Sequence, residues 1–192
     1  MSAGARPPER AFVALGSNLG DREGALRAAL AGLRATPGVR DVACSSVYET
    51  EPVGPPGQGP YLNAVARLET TLAPRALLAR LLELEREAGR VRSGVRNEAR
   101  TLDADLLFHG DRRLDEPGLV LPHPRLHERA FVLAPLAELA PDLVHPRLGR
   151  TVAELASALR AAGGWPPGAV RWHAPGPPGF ARAEDPAPGA PV

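Results

Sequence analysis

Residues 100–110 read RTLDADLLFHG, where Asp103 and Asp105 interrupt an apolar run. Side chains two apart on a strand project from one face, with Cα atoms roughly 6–7 Å apart. Two carboxylates held that close resist joint ionisation unless water screens them or a cation sits between them. A strand-borne Asp-x-Asp is a platform for Mg²⁺, a hard ion that takes carboxylate oxygens and keeps water and phosphate as its other ligands. The same pair also suits a solvated strand face on which each aspartate meets an arginine.

Just before the pair lies GRVRSGVRNEAR (89–100), with Arg90, Arg92, Arg96 and Arg100 against Glu98 alone. Guanidinium forks match phosphate oxygens. A basic run by itself reads as a solvated loop. Beside two candidate metal ligands it reads as a Mg²⁺–nucleotide site, where positioning and charge stabilisation carry the catalysis. His123, between two prolines in LPHPRLHERAF, is either a phosphate donor or an ordinary surface histidine. His109, His127 and His145 read as surface residues. Tyr61 and Asn63 share one face of YLNAVARLET (61–70). An aromatic ring plus an amide that donates and accepts can seat a flat heterocycle, or can simply be exposed.

The elements that must position these residues follow from periodicity. AFVALG (11–16) reads as a buried strand, and Ser17, Asn18 and Asp21 offer oxygens to cap the helix after it. Leu26, Ala29, Leu30 and Leu33 recur at helical spacing until Thr36-Pro37-Gly38 stops them. A strand at about 40–49 precedes the Pro/Gly-rich loop EPVGPPGQGP (51–60). In YLNAVARLET, Leu62, Ala64, Ala66 and Leu68 alternate toward the core. Pro74 opens a leucine-rich helix to about residue 88. In the aspartate strand Leu102, Ala104, Leu106 and Phe108 are expected on the core face. Strand, helix, strand, strand, helix, strand is the split βαβ order, so the expected fold is α+β with a ferredoxin-like βαββαβ core. Further helices follow, interrupted at Pro135, and Thr151 with Glu154 forms a capping box for the last. From Gly163 on, 14 of 30 residues are Pro or Gly. The expected division is a domain at 10–162 and a flexible Pro/Gly-rich tail at 163–192.

Composition narrows the function classes. A net charge of +1 gives no bulk attraction to nucleic acid or membrane, and neither is an expected partner. The single cysteine, Cys44, excludes an intrachain disulfide and paired-cysteine zinc motifs. No apolar leader or membrane-length run occurs, so a cytoplasmic protein is expected, acting as a monomer. All 23 basic residues are arginine. Without lysine there is no G-x-x-x-x-G-K-[ST] loop, which excludes a P-loop kinase. A ferredoxin-like RNA-binding module would set phosphate backbone against the central aspartates.

Together ALGSNLGDR (14–22), YETEPVG (48–54), YLNAVARLET (61–70), GRVR (89–92), RTLDADLL (100–107) and LPHPRLHERAFVLAPLAELAPDLVHP (121–146) occur in order. In this set the chain resembles the 6-hydroxymethyl-7,8-dihydropterin pyrophosphokinase family of folate biosynthesis. The resemblance implies transfer of the β,γ-pyrophosphate of ATP to the pterin hydroxymethyl group, with release of AMP and two Mg²⁺ ions. By the same resemblance Asp103 and Asp105 match metal-binding aspartates, and Arg90, Arg92 and Arg100 match catalytic, phosphate-contacting arginines. His123 and Arg129 match triphosphate contacts, and Glu85 a contact on the nucleoside side. Thr50, Val53 through its backbone, Tyr61, Asn63 and Phe131 match the pterin pocket, with Tyr61 and Phe131 on either side of the ring. Asn97, Glu98 and Ala99 depart from the family pattern before Arg100, and Ala104 replaces its branched aliphatic residue.

Overall fold

The computed structural model describes residues 7–52, 56–90 and 98–177. Arg92, Arg96 and Val53, which the sequence marks as candidates, lie outside them. Along the chain run β1 (Glu9–Ser17), α1 (Arg22–Arg34), β2 (Val39–Cys44), β3 (Val47–Thr50), β4 (Tyr61–Thr70), α2 (Pro74–Glu87) and β5 (Asp103–His109). A short hairpin of β6 (Leu114–Glu116) and β7 (Leu119–Leu121) follows, then α3 (Ala130–Leu139), α4 (Val152–Ala161) and β8 (Val170–Ala174). The main sheet is antiparallel in the order β5-β1-β4-β3-β8, with β2 also paired to β4.

Alternation along the central strands divides the core in two. Val13 and Leu15 of β1 and Leu62, Ala64 and Ala66 of β4 point to one face, where they meet Leu26, Leu30 and Leu33 of α1 and Leu77, Leu81 and Leu84 of α2. At Gly32 a Cβ would lie 2.3 Å from a Leu84 methyl, so the missing side chain lets the two helices approach. Phe12, Val65, Leu107 and Phe108 point to the opposite face and pack with Leu133 and Leu136 of α3 and Val152 and Leu155 of α4. Asp21 caps α1 by accepting from the Gly24 N–H at 2.9 Å, and Thr151 with Glu154 closes the capping box of α4.

Four expectations change in detail. The strand expected at 40–49 is two, broken where the Ser45 hydroxyl accepts from Val65 N–H and donates to the Ser46 carbonyl. In β5 the register with β1 shifts between Val13↔Leu106 and Phe12↔Phe108, so the extra residue turns Phe108 to the α3 face instead of keeping it with Leu106. The chain stays helical through Pro135, which removes one backbone donor from α3 without ending it. The segment after Gly163, expected as a flexible tail, supplies β8, which pairs with β3 from Val47↔Ala174 to Thr50↔Val170. Arg171 bonds to Glu49 at 3.1 Å and to Glu51 at 3.3 Å, and His173 to Glu23 at 3.0 Å, which fastens the strand. Among the described residues no helix is long and apolar enough to cross a membrane.

Candidate active site

Helices α3 and α4 cover only part of their face of the sheet, and a cleft of about 530 Å³ opens over the rest. Its lining gathers Thr50, Tyr61, Asn63, Glu85, Arg90, Arg100, Asp103, Asp105, His123, Arg129 and Phe131. Those are all the sequence-predicted site residues among the described ones. They come from six places in the chain, which the strand order β5-β1-β4-β3 brings side by side.

Asp103 and Asp105 project from β5 on the cleft face, as the period of two predicts. Their surroundings differ. Asp103 Oδ1 accepts from Arg90 Nη1 at 2.8 Å and lies 3.1 Å from Arg100 Nη1. Asp105 Oδ2 has looser partners, Arg129 Nη1 at 3.5 Å and His123 Nε2 at 3.8 Å. Burial, followed by the charge of Asp103, pushes the Asp105 carboxyl up to about 6. Two neighbouring carboxylates on one strand face, one of them only loosely partnered, are a fitting donor set for a hard divalent cation. Among the described residues no group of three or more His, Cys, Asp or Glu is arranged to hold a metal ion. Two carboxylates with other positions left for water and phosphate is how Mg²⁺ is held beside a nucleotide.

Glu85 is buried at 3% exposure. Its Oε1 accepts from the Ala104 N–H at 3.0 Å, between the two aspartates, and bonds to Arg90 Nη1. In this arrangement Glu85 faces the strand and Arg90, beneath the carboxylates. Arg100 is set by Asn18, whose Oδ1 accepts from Arg100 N–H at 2.8 Å while its own N–H donates to the Arg100 carbonyl at 3.1 Å. The Asn18 amide also donates to Gln58 and to the Gly59 carbonyl at 3.0 and 3.3 Å. Sequence reasoning read Asn18 only as a capping oxygen. It ties the base of the arginine loop to the base of the Pro/Gly-rich loop, and no local pattern announces a bond between residues 82 positions apart.

His123 is held by its N–H to the Leu107 carbonyl at 2.9 Å, and its Nδ1 accepts from Arg125 N–H at 3.2 Å. That fixes the proton on Nε2, toward Asp105. Burial and the nearby Arg129 charge push the imidazole down to about 4, so it is neutral at physiological pH. The histidines read as surface residues fare differently: His109 and His145 are buried at 0% and 4% exposure. His109 Nε2 donates to the Leu72 carbonyl at 3.0 Å, and the His145 ring stacks edge-on against Phe108.

At the other end of the cleft Asn63 Nδ2 donates to Thr50 Oγ1 at 2.8 Å, which leaves Asn63 Oδ1 directed at the floor. Tyr61 stands beside it, with its phenol pushed up chiefly by burial and bonded to Arg100. Phe131, at the start of α3, lines the same space with the Arg129 guanidinium 5.6 Å over its ring. A polar, hydrogen-bonding end flanked by aromatic rings therefore abuts an end built of carboxylates and guanidinium groups.

Comparisons with known proteins supply relatives by sequence and by fold. The chain is 42% identical over 156 residues to 2-amino-4-hydroxy-6-hydroxymethyldihydropteridine pyrophosphokinase of Synechocystis sp., covering 81% of this chain and 79% of that one. Against the protein of the same name from Pseudomonas aeruginosa it is 47% identical over 150 residues, covering 78% and 91%. Its fold is similar to that of wild-type Plasmodium falciparum HPPK-DHPS, with a TM-score of 0.63 at 13% identity, over 83% of this chain and 46% of that one. It thus spans less than half of that longer chain. Residues 12–141 match the profile of 7,8-dihydro-6-hydroxymethylpterin-pyrophosphokinase (HPPK), and with these relatives the match establishes that the chain belongs to the HPPK family, the pyrophosphokinases.

Proposed function

We propose that this protein transfers the pyrophosphoryl group of ATP to 6-hydroxymethyl-7,8-dihydropterin, releasing AMP, as a Mg²⁺-dependent step of folate synthesis. The observation that carries the reading is the single cleft in which Asp103 and Asp105, flanked by arginines, adjoin the Thr50, Tyr61, Asn63 and Phe131 end. The family and the names of the relatives point the same way. The strand order β5-β1-β4-β3, all antiparallel with α1 and α2 on one face, supports the ferredoxin-like description of the core.

In this reading Asp103 and Asp105 hold two Mg²⁺ ions, which when bound neutralise charge on the triphosphate and orient its oxygens. Arg90 and Arg100 turn from Asp103 to the phosphates, and Arg129 with the Nε2–H of His123 reaches the triphosphate from the other side. Arg92, from the same arginine loop, joins them. Glu85 stands on the nucleoside side of the ATP site and holds Arg90 and the strand backbone. Tyr61 and Phe131 flank the pterin ring, while Thr50, Asn63 and the backbone of Val53 orient its edge. The hydroxymethyl oxygen attacks the β-phosphorus, and the bond from that phosphorus to the α–β bridging oxygen breaks. AMP leaves with the bridging oxygen, and the hydroxyl proton passes to water. Little covalent help is needed in so loose a transition state, so placement and charge stabilisation supply most of the rate.

The test is purified protein with ATP, MgCl₂ and the pterin, its nucleotides separated by chromatography. AMP that depends on the pterin and vanishes with EDTA is expected. ADP in place of AMP, or AMP formation indifferent to the pterin, overturns the reading.

A further inference from the structure

The geometry points to Gly16 as a specificity-determining residue: its bare backbone is the floor beneath the edge of a flat acceptor held between Tyr61 and Phe131, and its missing side chain sets the depth of that seat. The inference rests on the function proposed above and deepens it.

Three strands present side chains to the cleft in register. On β5 stand Asp103 and Asp105, and on β4 stand Asn63 and, two residues before it, Tyr61. Between them runs β1, where Gly16 is paired with Asp103 on one side and Asn63 on the other, and Ala14 with Asp105 and Val65. The central strand thus carries the two smallest side chains of the rows where its neighbours carry carboxylates, an amide and an aromatic ring. This makes a trough with walls on β4 and β5 and a floor of Gly16 and Ala14, both of which line the cleft.

Backbone conformation does not demand glycine there, because Gly16 is not among the glycines with positive φ. Space does. A Cβ built on Gly16 would lie 3.1 Å from Asn63 Oδ1, 3.6 Å from Tyr61 Cδ1 and 3.9 Å from Asp103 Cβ. The last two are ordinary contacts. The first is closer than such contacts normally come, and Asn63 cannot easily yield because its Nδ2 is tied to Thr50 Oγ1. A methyl group at this point would both raise the floor and press on the amide oxygen that recognises the acceptor's edge. The Asp103 carboxylate would stay where it is. A side chain here therefore acts on the acceptor and spares the nucleotide.

The experiment compares wild-type protein with Gly16→Ala and Gly16→Val. It measures KM for the pterin, KM for ATP, binding of a non-hydrolysable MgATP analogue by calorimetry, and melting temperature. For Gly16→Ala the pterin KM is expected to rise roughly tenfold, the effect of one methyl-sized change in a shaped pocket. For Gly16→Val the rise is larger, and for Gly16→Ala analogue binding stays within about twofold of wild type, since the added methyl meets Asp103 only at an ordinary 3.9 Å contact with its Cβ while it presses on Asn63. An unchanged pterin KM in variants that bind the analogue and turn over overturns the role of Gly16 and leaves the proposed function standing. Equal loss of pterin and nucleotide binding, or early melting, makes the glycine a requirement of folding and also overturns it. Absence of pterin-dependent AMP with wild-type protein removes the proposed function, and this inference with it.

Discussion

One sheet has two unlike faces. Against α1 and α2 the packed core is aliphatic apart from Cys44, and Leu15, Leu30, Leu33, Leu62 and Leu77 are all at or below 1% exposure. On the opposite face α3 and α4 bury Phe12, Val65 and Phe108, but beyond them the same strands carry Asp103, Asp105, Asn63 and Tyr61 around a cleft. The period of two makes this possible, because β1, β4 and β5 can each serve a dry core and a polar site with alternate residues. The closed face holds the strands in place. The open face can then keep carboxylates close together at a cost in stability.

Mutations should separate the two faces. Asp103→Ala is expected to lower turnover about a thousandfold or more while leaving the melting temperature within a few degrees, because it removes charge from the cleft and nothing from the core. A steady-state AMP assay and a thermal melt check both halves. Wild-type-like activity would detach Asp103 from the reaction. On the closed face Leu30→Ala should cost about 2–5 kcal/mol of stability, read by urea unfolding, with activity per folded molecule nearly unchanged. Asp105→Asn should show the smallest effect on the fold. Without nucleotide or metal, at pH 7.5, it is expected to raise the melting temperature by about 1–3 °C. The sign follows from the native carboxyl titrating near 6, above its unfolded value. The folded state therefore disfavours the charge, most strongly above that pH, and the penalty fades as pH falls toward 4. A lower melting temperature would show that Arg129 and His123 satisfy the carboxylate after all.

What the sequence discloses depends on whether a residue's neighbours are local. The α1 and α2 stripes, the Asp21 cap and the Thr151–Glu154 box are statements about residues a few positions apart, and they stand in the structure as read. Alternation in β4 placed Leu62 and Ala64 opposite Tyr61 and Asn63. It failed at Phe108 in β5 because a bulge adds one residue and reverses the faces beyond it. Val170, Trp172 and Ala174 alternate with Arg171 and His173 like any edge strand, but the prolines and glycines around them hid the pattern. The grouping of the site candidates in one cleft came from resemblance, not from any local rule. The bonds that hold Arg100 to Asn18, and Glu85 to Ala104, join distant residues and leave no periodic trace.

Strand β8 also bears on how the molecule behaves in a crowded solution. Without it β3, beside the cleft, would end the sheet with an open row of backbone donors and acceptors, a template onto which a foreign chain could add. Pairing with β8 moves that boundary outward, to a strand of five residues that carries Arg171 and His173 and follows a proline- and glycine-rich approach. Short, charged and hemmed by prolines, the new border is a poor seed for intermolecular sheet growth. The chain protects Thr50 and its neighbours from aggregation with its own C-terminal segment.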